Sequence, residues 1–351
     1  MATVETYVKL ANRPNTQRSY ASAIQHFEVE GRGSLPASPD AVAAYLAHFA
    51  DSLSINTLRA RLAGLSKWHR DHGFTDPTKS ALVSQVLKGI RTAHNIPEKR
   101  ARPFEFERMA QVSEWLKSEA DQLAPSDPRY LRCVRDQAML LIGFWRGFRS
   151  DELTRLQFEH ITLNDGVGMQ CFLPYSKGDR ESAGQSFFCP ALSKLCPVTA
   201  FQQWQVALEQ SHGPVFRRID RWGHVSSQGL ASGSVVPWLQ KLFQEAGVPN
   251  ASDYSSHSLR RGFANWAKSN GWDLKELMTY IGWRDFNSAL RYLDISEEDL
   301  GSRFETALEN SPSPYRDPRV VAQSRRRTHL TGSTPQAMPS NVVALHRRPI
   351  E

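Results

Sequence analysis

Apolar residues in the first part of the chain recur at helical spacing in four separate stretches. Tyr20, Ile24 and Phe27 share one face of a segment that follows Pro14. Val42, Tyr45, Leu46 and Phe49 share another, behind Ser38-Pro39-Asp40. That tripeptide supplies a serine cap, a proline at the first helical position and an acid in the first turn. A third helix starts near Ile55, turns Leu58, Leu62, Leu65 and Trp68 inward and stops near Gly73; a fourth carries Leu82, Val83, Val86, Leu87 and Ile90. Four short amphipathic helices imply a compact bundle. Over residues 93–105 (AHNIPEKRARPFE) the periodicity gives way to proline and basic residues, which reads as an exposed linker.

Helical spacing returns around 108–120 and 131–145. A turn at Arg146-Gly147 then leads to Phe148-Arg149 and a helix starting at Ser150, with Asp151 and Glu152 in its first turn. Residues 167–190 carry the one clear β signal, two apolar stretches around a Ser-Lys-Gly-Asp turn, which predicts a hairpin or small sheet. Further helices are predicted at about 197–210, 234–246, 258–269, 273–281 and 286–292, and a last amphipathic stretch holds Leu300, Phe304 and Leu308. Beyond 311 the chain is rich in Pro and Ser, basic and poor in bulky apolar residues, a composition too sparse to offset its ordering entropy, so it reads as disordered. The expected fold is mainly α with a small β-hairpin or sheet. Residues 1–92 form a helical bundle, 93–105 a basic linker, 106–310 a second domain and 311–351 a basic tail.

A length of 351 residues suits two domains. No apolar run is long enough to span a bilayer, and the first residues lack the basic start and apolar stretch of a secretory signal, so a cytoplasmic protein with no membrane partner is expected. The four cysteines, Cys133, Cys171, Cys189 and Cys196, show neither a CxxC pair nor zinc spacing, and read as reduced thiols. The formal charge of +7 is unevenly spread. Residues 1–102 carry 14 Lys and Arg against 8 Asp and Glu, residues 103–310 carry 22 against 26, and residues 311–351 carry 7 against 2. The basic surplus sits in the first segment and the tail, and charge alone favours DNA binding by the first hundred residues and supports nothing for the middle.

For the middle of the chain particular residues must make the argument. Arg149 stands before a helix start, Lys177 lies in the hairpin turn, and His257 and Arg260 are spaced to share a helix face. Trp283 follows Ile281-Gly282, and Tyr292 lies nine residues further on. Two arginines and a lysine converging on one point make a strong anion site, because guanidinium forks match phosphate oxygens. Such a site stabilises a pentacovalent phosphorus without a metal, and no acidic metal cluster or other cofactor motif is apparent. Tyr292 supplies a nucleophile, His257 a holder for the phenol proton, and Lys177 an acid for the leaving sugar oxygen.

These runs resemble the boxes of the tyrosine recombinases, the phage integrase family. Gly147-Phe148-Arg149-Ser150-Asp151-Glu152-Leu153 is similar to the first arginine box, and His257-Ser258-Leu259-Arg260-Arg261-Gly262 to the HxxR box. Tyr280-Ile281-Gly282-Trp283 followed by Tyr292 is similar to the final box, and Ser176-Lys177-Gly178 to the hairpin that carries the lysine. Trp283 stands where many members have histidine and where the Cre-like branch also has tryptophan. Trp donates one N–H and cannot shuttle a proton, so packing against the Tyr292 segment and a hydrogen bond to phosphate are its expected roles. Glu152 would orient Arg149 or a neighbouring cation.

The resemblance implies a two-domain DNA clamp, with a helical core-binding domain and a catalytic domain. It also implies a site-specific recombinase that cleaves and rejoins DNA through a 3′-phosphotyrosine on Tyr292 and a Holliday junction. Its partners would be duplex DNA with an inverted-repeat site and further copies of the chain, a dimer per site and a tetramer in synapsis. The Leu300, Phe304 and Leu308 segment would dock on a neighbouring subunit. Arg59, Lys67, Arg91, Lys99 and Arg100 are expected phosphate contacts, and the third helix, with Asn56, Arg59 and Lys67, is the expected base-reading element. The rival readings are a type IB topoisomerase, a telomere resolvase, and a catalytically silent DNA-binding relative. Taken singly, an arginine before a helix is usually a salt-bridge partner and a tyrosine usually packing. Tyr280, on the face of Leu277 and Ile281, is read as structural.

Overall fold

The computed structural model describes residues 3, 6, 14–94, 101–175, 183–290, 292 and 306. The chain divides into two compact units, Met1–Arg100 and Ala101–Glu351. In the first, α1 (Pro14–Gln25) runs into a π-helical turn (His26–Glu30) and is followed by α2 (Pro39–His48), α3 (Ile55–Asp71) and α4 (Ala81–Ala93). Serine hydroxyls start three of these helices. Ser38, Ser54 and Ser80 accept from the backbone N–H of Ala41, Thr57 and Val83 at 3.2, 3.1 and 3.2 Å. The core is the set of apolar faces, with Phe27, Val42, Leu46, Leu58, Leu65 and Val83 almost fully buried. His69 is buried without a charged partner: its Nε2 accepts from the Ala37 N–H at 2.8 Å and its Nδ1 donates to the Leu65 carbonyl at 2.8 Å. Both ring nitrogens are thereby hydrogen-bonded to backbone. Trp68 is only half-buried and stacks on His72, ring centroids 4.2 Å apart.

The second unit opens with α5 (Phe106–Asp121) and α6 (Pro128–Arg146). Asp127 caps α6, accepting from the Arg129 N–H at 2.8 Å, with Pro128 in the first turn. Residues 138–146 of α6 are all buried, because α5, α8, α10 and a β-strand pack around it. A short α7 (Ser150–Thr154) follows, then β1 (Ile161–Asn164), β2 (Gly168–Leu173) and β3 (Gln185–Pro190). These strands form one antiparallel sheet in that order, with Ile161 opposite Cys171 and Cys171 opposite Phe187. The chain continues through α8 (Pro197–Leu208), a two-stranded sheet of β4 (Arg217–Ile219) and β5 (Val225–Gly229), α9 (Val235–Glu245), α10 (Ser258–Ser269), α11 (Leu274–Ile281) and α12 (Phe286–Leu290). The structure is mainly helical with small sheets, as the sequence predicts: residues 167–190, read as a hairpin or small sheet, supply β2 and β3, and β1 and the β4–β5 pair lie outside that stretch. The Leu300, Phe304 and Leu308 stretch and the tail lie outside the described residues. No described helix is long and apolar enough to cross a membrane.

The end of the stretch read as a linker is built into the second unit. Phe104 is fully buried, stacked on Phe243 at 4.0 Å and set edge-on to Tyr254 at 5.6 Å. Its N–H donates to the Ser258 carbonyl at 3.0 Å, and Arg261 donates to the Ala101 carbonyl at 2.7 Å. This backbone lies so close to α10 that only glycine fits at 262: a Cβ there would stand 1.9 Å from the Phe104 carbonyl oxygen. Gly262→Ala must push backbone apart, and is expected to lower stability by roughly 1–3 kcal/mol in urea melts. An unchanged midpoint would show that the two segments separate freely.

Candidate active site

Arg149 is placed by two backbone devices. Gly147 ends α6 in the left-handed conformation, φ 59°, and its N–H donates to the Phe144 carbonyl at 3.0 Å. The chain then turns so that Arg149 becomes the N-cap of α7. Glu152 closes the box: its Oε2 accepts from the Arg149 backbone N–H at 2.9 Å, and its Oε1 accepts from the Arg149 guanidinium. Glu152 is itself buried. Its Oε2 also faces Nη1 of Arg260 at 3.5 Å, so one carboxylate serves two guanidiniums.

Arg260 projects from the first turn of α10 and is 0% exposed. Its Nη2 donates to the carbonyl of Ile281, the last residue of α11, at 3.3 Å. Gly282, at φ 78°, ends that helix, and its N–H and that of Trp283 both donate to Met278 O at 2.9 Å. The turn delivers Trp283 into the site. The Trp283 ring stacks on that of Tyr292, centroids 5.1 Å apart at 29°. The Arg260 guanidinium lies 5.4 Å from the Trp283 ring and 5.8 Å from the Tyr292 ring. The Tyr292 hydroxyl is 2.8 Å from Nδ1 of His257, the residue that precedes α10. Tyr280 stands apart from this group, its hydroxyl donating to the Trp145 carbonyl at 2.9 Å.

The electrostatics follow from burial. Burial pushes the Glu152 carboxyl up, but the adjacent Arg260 and Arg149 cations and the Arg149 N–H outweigh it and hold the group below the usual carboxylate range. The Arg260 guanidinium is pulled down to about 10 by burial and then by Arg149, with Glu152 and Tyr292 opposing. Arg260 Nε and Trp283 Nε1 are buried donors with no hydrogen-bond partner among the described residues. Donors held ready in a low-dielectric site suit an acceptor-only group such as a phosphate.

The structure thus gathers Arg149, Glu152, His257, Arg260, Trp283 and Tyr292 from three stretches distant in sequence. Lys177 lies outside the described residues, as do Lys99 and Arg100. In the first unit Arg59 and Arg91 are exposed on α3 and α4, whereas Lys67 is engaged by the Asp71 carboxylate one turn away. The sequence offers no functional reading of Arg146, which is buried among the rings of Phe148, Phe187 and Tyr280. The only signal for it is a charged residue at the end of the apolar run Met139–Trp145.

Residues 114–299 match the Phage integrase family. The chain is 27% identical over 289 residues to an integrase/recombinase xerD homolog of Selenomonas ruminantium, covering 80% of this chain and 81% of that protein. It is 25% identical over 292 residues to the recombinase cre of Escherichia phage P1, covering 78% and 81%. Among solved structures, the XerH site-specific recombinase bound to palindromic difH substrate superimposes with a TM-score of 0.56 at 18% identity, over 82% of this chain and 78% of that one. A lambda integrase dimer bound to a COC′ core site superimposes with a TM-score of 0.54 at 16% identity, over 87% and 75%. The fold, mainly helical with small sheets, is theirs.

Because the folded Glu152 carboxyl is depressed, its contribution to stability is present above the unfolded value of about 4.3 and is lost as pH falls through the lower folded value. Glu152→Gln leaves two guanidiniums without their counter-charge and is expected to cost roughly 2–4 kcal/mol at neutral pH. Urea melts of both proteins from pH 7 to 3 should show this difference shrinking only below about pH 4. A gap that stays constant to pH 3 would show that Glu152 does not change its ionisation on unfolding.

Proposed function

The chain belongs to the phage integrase family and is a tyrosine-type site-specific recombinase, and from that premise we propose that Tyr292 is the nucleophile of its strand exchange. The observation that carries the assignment is the contact of 2.8 Å between the Tyr292 hydroxyl and Nδ1 of His257, beside the buried Arg260. In this reading Arg149 and Arg260 grip the non-bridging oxygens of one phosphodiester. The two guanidiniums less the Glu152 carboxylate leave one positive charge to meet the single negative charge of the diester. The Tyr292 oxygen attacks phosphorus, its proton passes to His257, and the bond to the 5′ oxygen breaks. Lys177 protonates that oxygen as it leaves. The product is a 3′-phosphotyrosine and a free 5′ hydroxyl, and attack by a partner strand's hydroxyl reverses the step.

Trp283 takes a packing and hydrogen-bonding role. Its stacking on Tyr292 fixes the phenol, and its unpartnered indole N–H is suited to one phosphate oxygen. As it cannot carry a proton, proton transfer falls to His257 and Lys177. The likeness to the cre recombinase fits a branch of the family with Trp at this position. Arg59 and Arg91 are exposed cations suited to phosphate contact, and Lys99 and Arg100 extend the basic run in sequence. Lys67 is a weaker candidate, since Asp71 already neutralises it. The substrate class is duplex DNA with an inverted-repeat site, bound as a dimer and synapsed as a tetramer through a Holliday junction.

Two experiments test the reading. Fragmented, nicked bacterial DNA is incubated with the protein, denatured with detergent, and the protein-linked DNA sequenced. Wild type should yield adducts at one recurring sequence, and Tyr292→Phe should bind DNA yet yield none; adducts from the Phe variant would remove Tyr292 from its role, and scattered wild-type adducts would favour a topoisomerase. In the second, Arg149→Ala and Arg260→Ala should retain the fold by circular dichroism while slowing single-turnover cleavage by roughly 10²–10³-fold. Near wild-type rates in either would exclude that arginine from the phosphate site.

A further inference from the structure

We propose that Arg146 is a positioning residue for strand cleavage, a third guanidinium that acts on the Arg149, Glu152 and Arg260 cluster from beneath it without touching DNA. The proposal rests on the reading of Tyr292 given above. Arg146 closes α6 three residues before Arg149 and is 4% exposed. Its guanidinium lies 4.4 Å from the Tyr280 ring, 4.8 Å from Phe187 and 5.8 Å from Phe148. Among the described residues, Nε and Nη1 are buried with no hydrogen-bond partner and no carboxylate is bonded to the group.

A cation buried without a counter-ion weakens a fold. Even a buried ion pair can often be exchanged for apolar side chains of like volume at no loss of stability, and three aromatic faces offset only part of the desolvation of a lone cation. Stability alone therefore gives no reason for an arginine here. The rings that hold it do suggest one. Phe148 sits beside Arg149 in the turn that presents it. Tyr280 is in the last turn of α11, just before Trp283, and is pinned to the Trp145 carbonyl. Phe187 lies on β3, packed edge-on against Phe148 at 5.3 Å. One planar cation thus joins the turn bearing Arg149 to the helix end bearing Trp283, with the sheet as backing.

Its charge also reaches the site. Arg146 is among the cations that press the Arg260 guanidinium downward, after burial and Arg149; its own guanidinium is pulled down by burial, with Tyr280, the two buried cysteines and Glu152 opposing. Arg149 and Arg260 less Glu152 balance a diester. As the phenolate oxygen of Tyr292 joins phosphorus, a second negative charge gathers on the five-coordinate centre, and Arg146 raises the buried positive charge to match it. The benefit is greatest in the transition state and small for bound DNA. The bonds made and broken are unchanged: Tyr292 oxygen to phosphorus forms, phosphorus to the 5′ oxygen breaks, and Arg146 exchanges no proton.

The test compares Arg146→Met, which keeps length and loses charge, with Arg146→Lys, which keeps the charge. Each full-length protein is assayed for DNA affinity, Tm and single-turnover adduct formation on a nicked duplex carrying the captured site. The Met variant should bind with the wild-type Kd, melt no lower than wild type and form the adduct at least roughly ten-fold more slowly, with Lys recovering most of the rate. Met within about two-fold of wild type overturns the proposal, as do equal losses in both variants. Loss of DNA binding together with a lowered Tm in the Met variant also overturns it, because Arg146 would then serve the fold alone. A wild-type protein that forms no adduct overturns the Tyr292 reading first and this one with it, whereas the other outcomes bear on Arg146 alone.

Discussion

Arg149 and Arg260 belong to elements far apart in sequence, and two guanidiniums brought close inside a low-dielectric core repel one another. The Glu152 carboxylate is what makes their meeting tolerable. It also caps the backbone of the turn that carries Arg149, so the same group sets both charge and geometry. Without it α7 would lose its start, Arg149 its orientation, and Arg260 its counter-charge in a position closed to water. The other parts of the site are arranged around that ionic core. Ile281 offers its carbonyl to the far side of Arg260, and the left-handed turn at Gly282 follows directly, placing Trp283 over the same guanidinium.

The proposed nucleophile is held with equal economy. Tyr292 is fixed on one side by the Trp283 ring and on the other by the His257 nitrogen. In the proposed reading its oxygen meets a phosphate held by Arg149 and Arg260, and neutralisation falls to guanidiniums, whose charges do not titrate near neutrality. That division of labour suits the proposed two-way exchange, since nothing is consumed in holding the phosphate.

Much of this was legible along the chain because its signals are local. The cap Ser38-Pro39-Asp40 starts a helix where it is read, and the order of the Arg149, His257-Arg260 and Trp283-Tyr292 boxes carried the site. What escaped depends on distant partners. Strands β1 and β4 are four and three residues long, too short for an alternation to stand out, and they exist because neighbouring strands pair with them. Phe104 sits in a basic, proline-bearing run that reads as linker, but its ring finds Phe243 and Tyr254, far ahead in sequence. Arg146 reads only as part of a turn with Gly147, since nothing nearby in sequence announces the Phe187 and Tyr280 faces. Lys67 was the converse case: the Asp71 that claims it stands one helical turn away, in plain view.

The bonds from Ala101 and Phe104 to α10 have a consequence for how such a chain can change in length. The backbone around residue 104 is sewn to the helix that carries Arg260, with Ser258 and Arg261 as the stitches. A residue gained or lost between 101 and 104 would shift these stitches relative to the helix and drive backbone against Gly262. Changes in chain length among descendants of this sequence should therefore be purged from that seam.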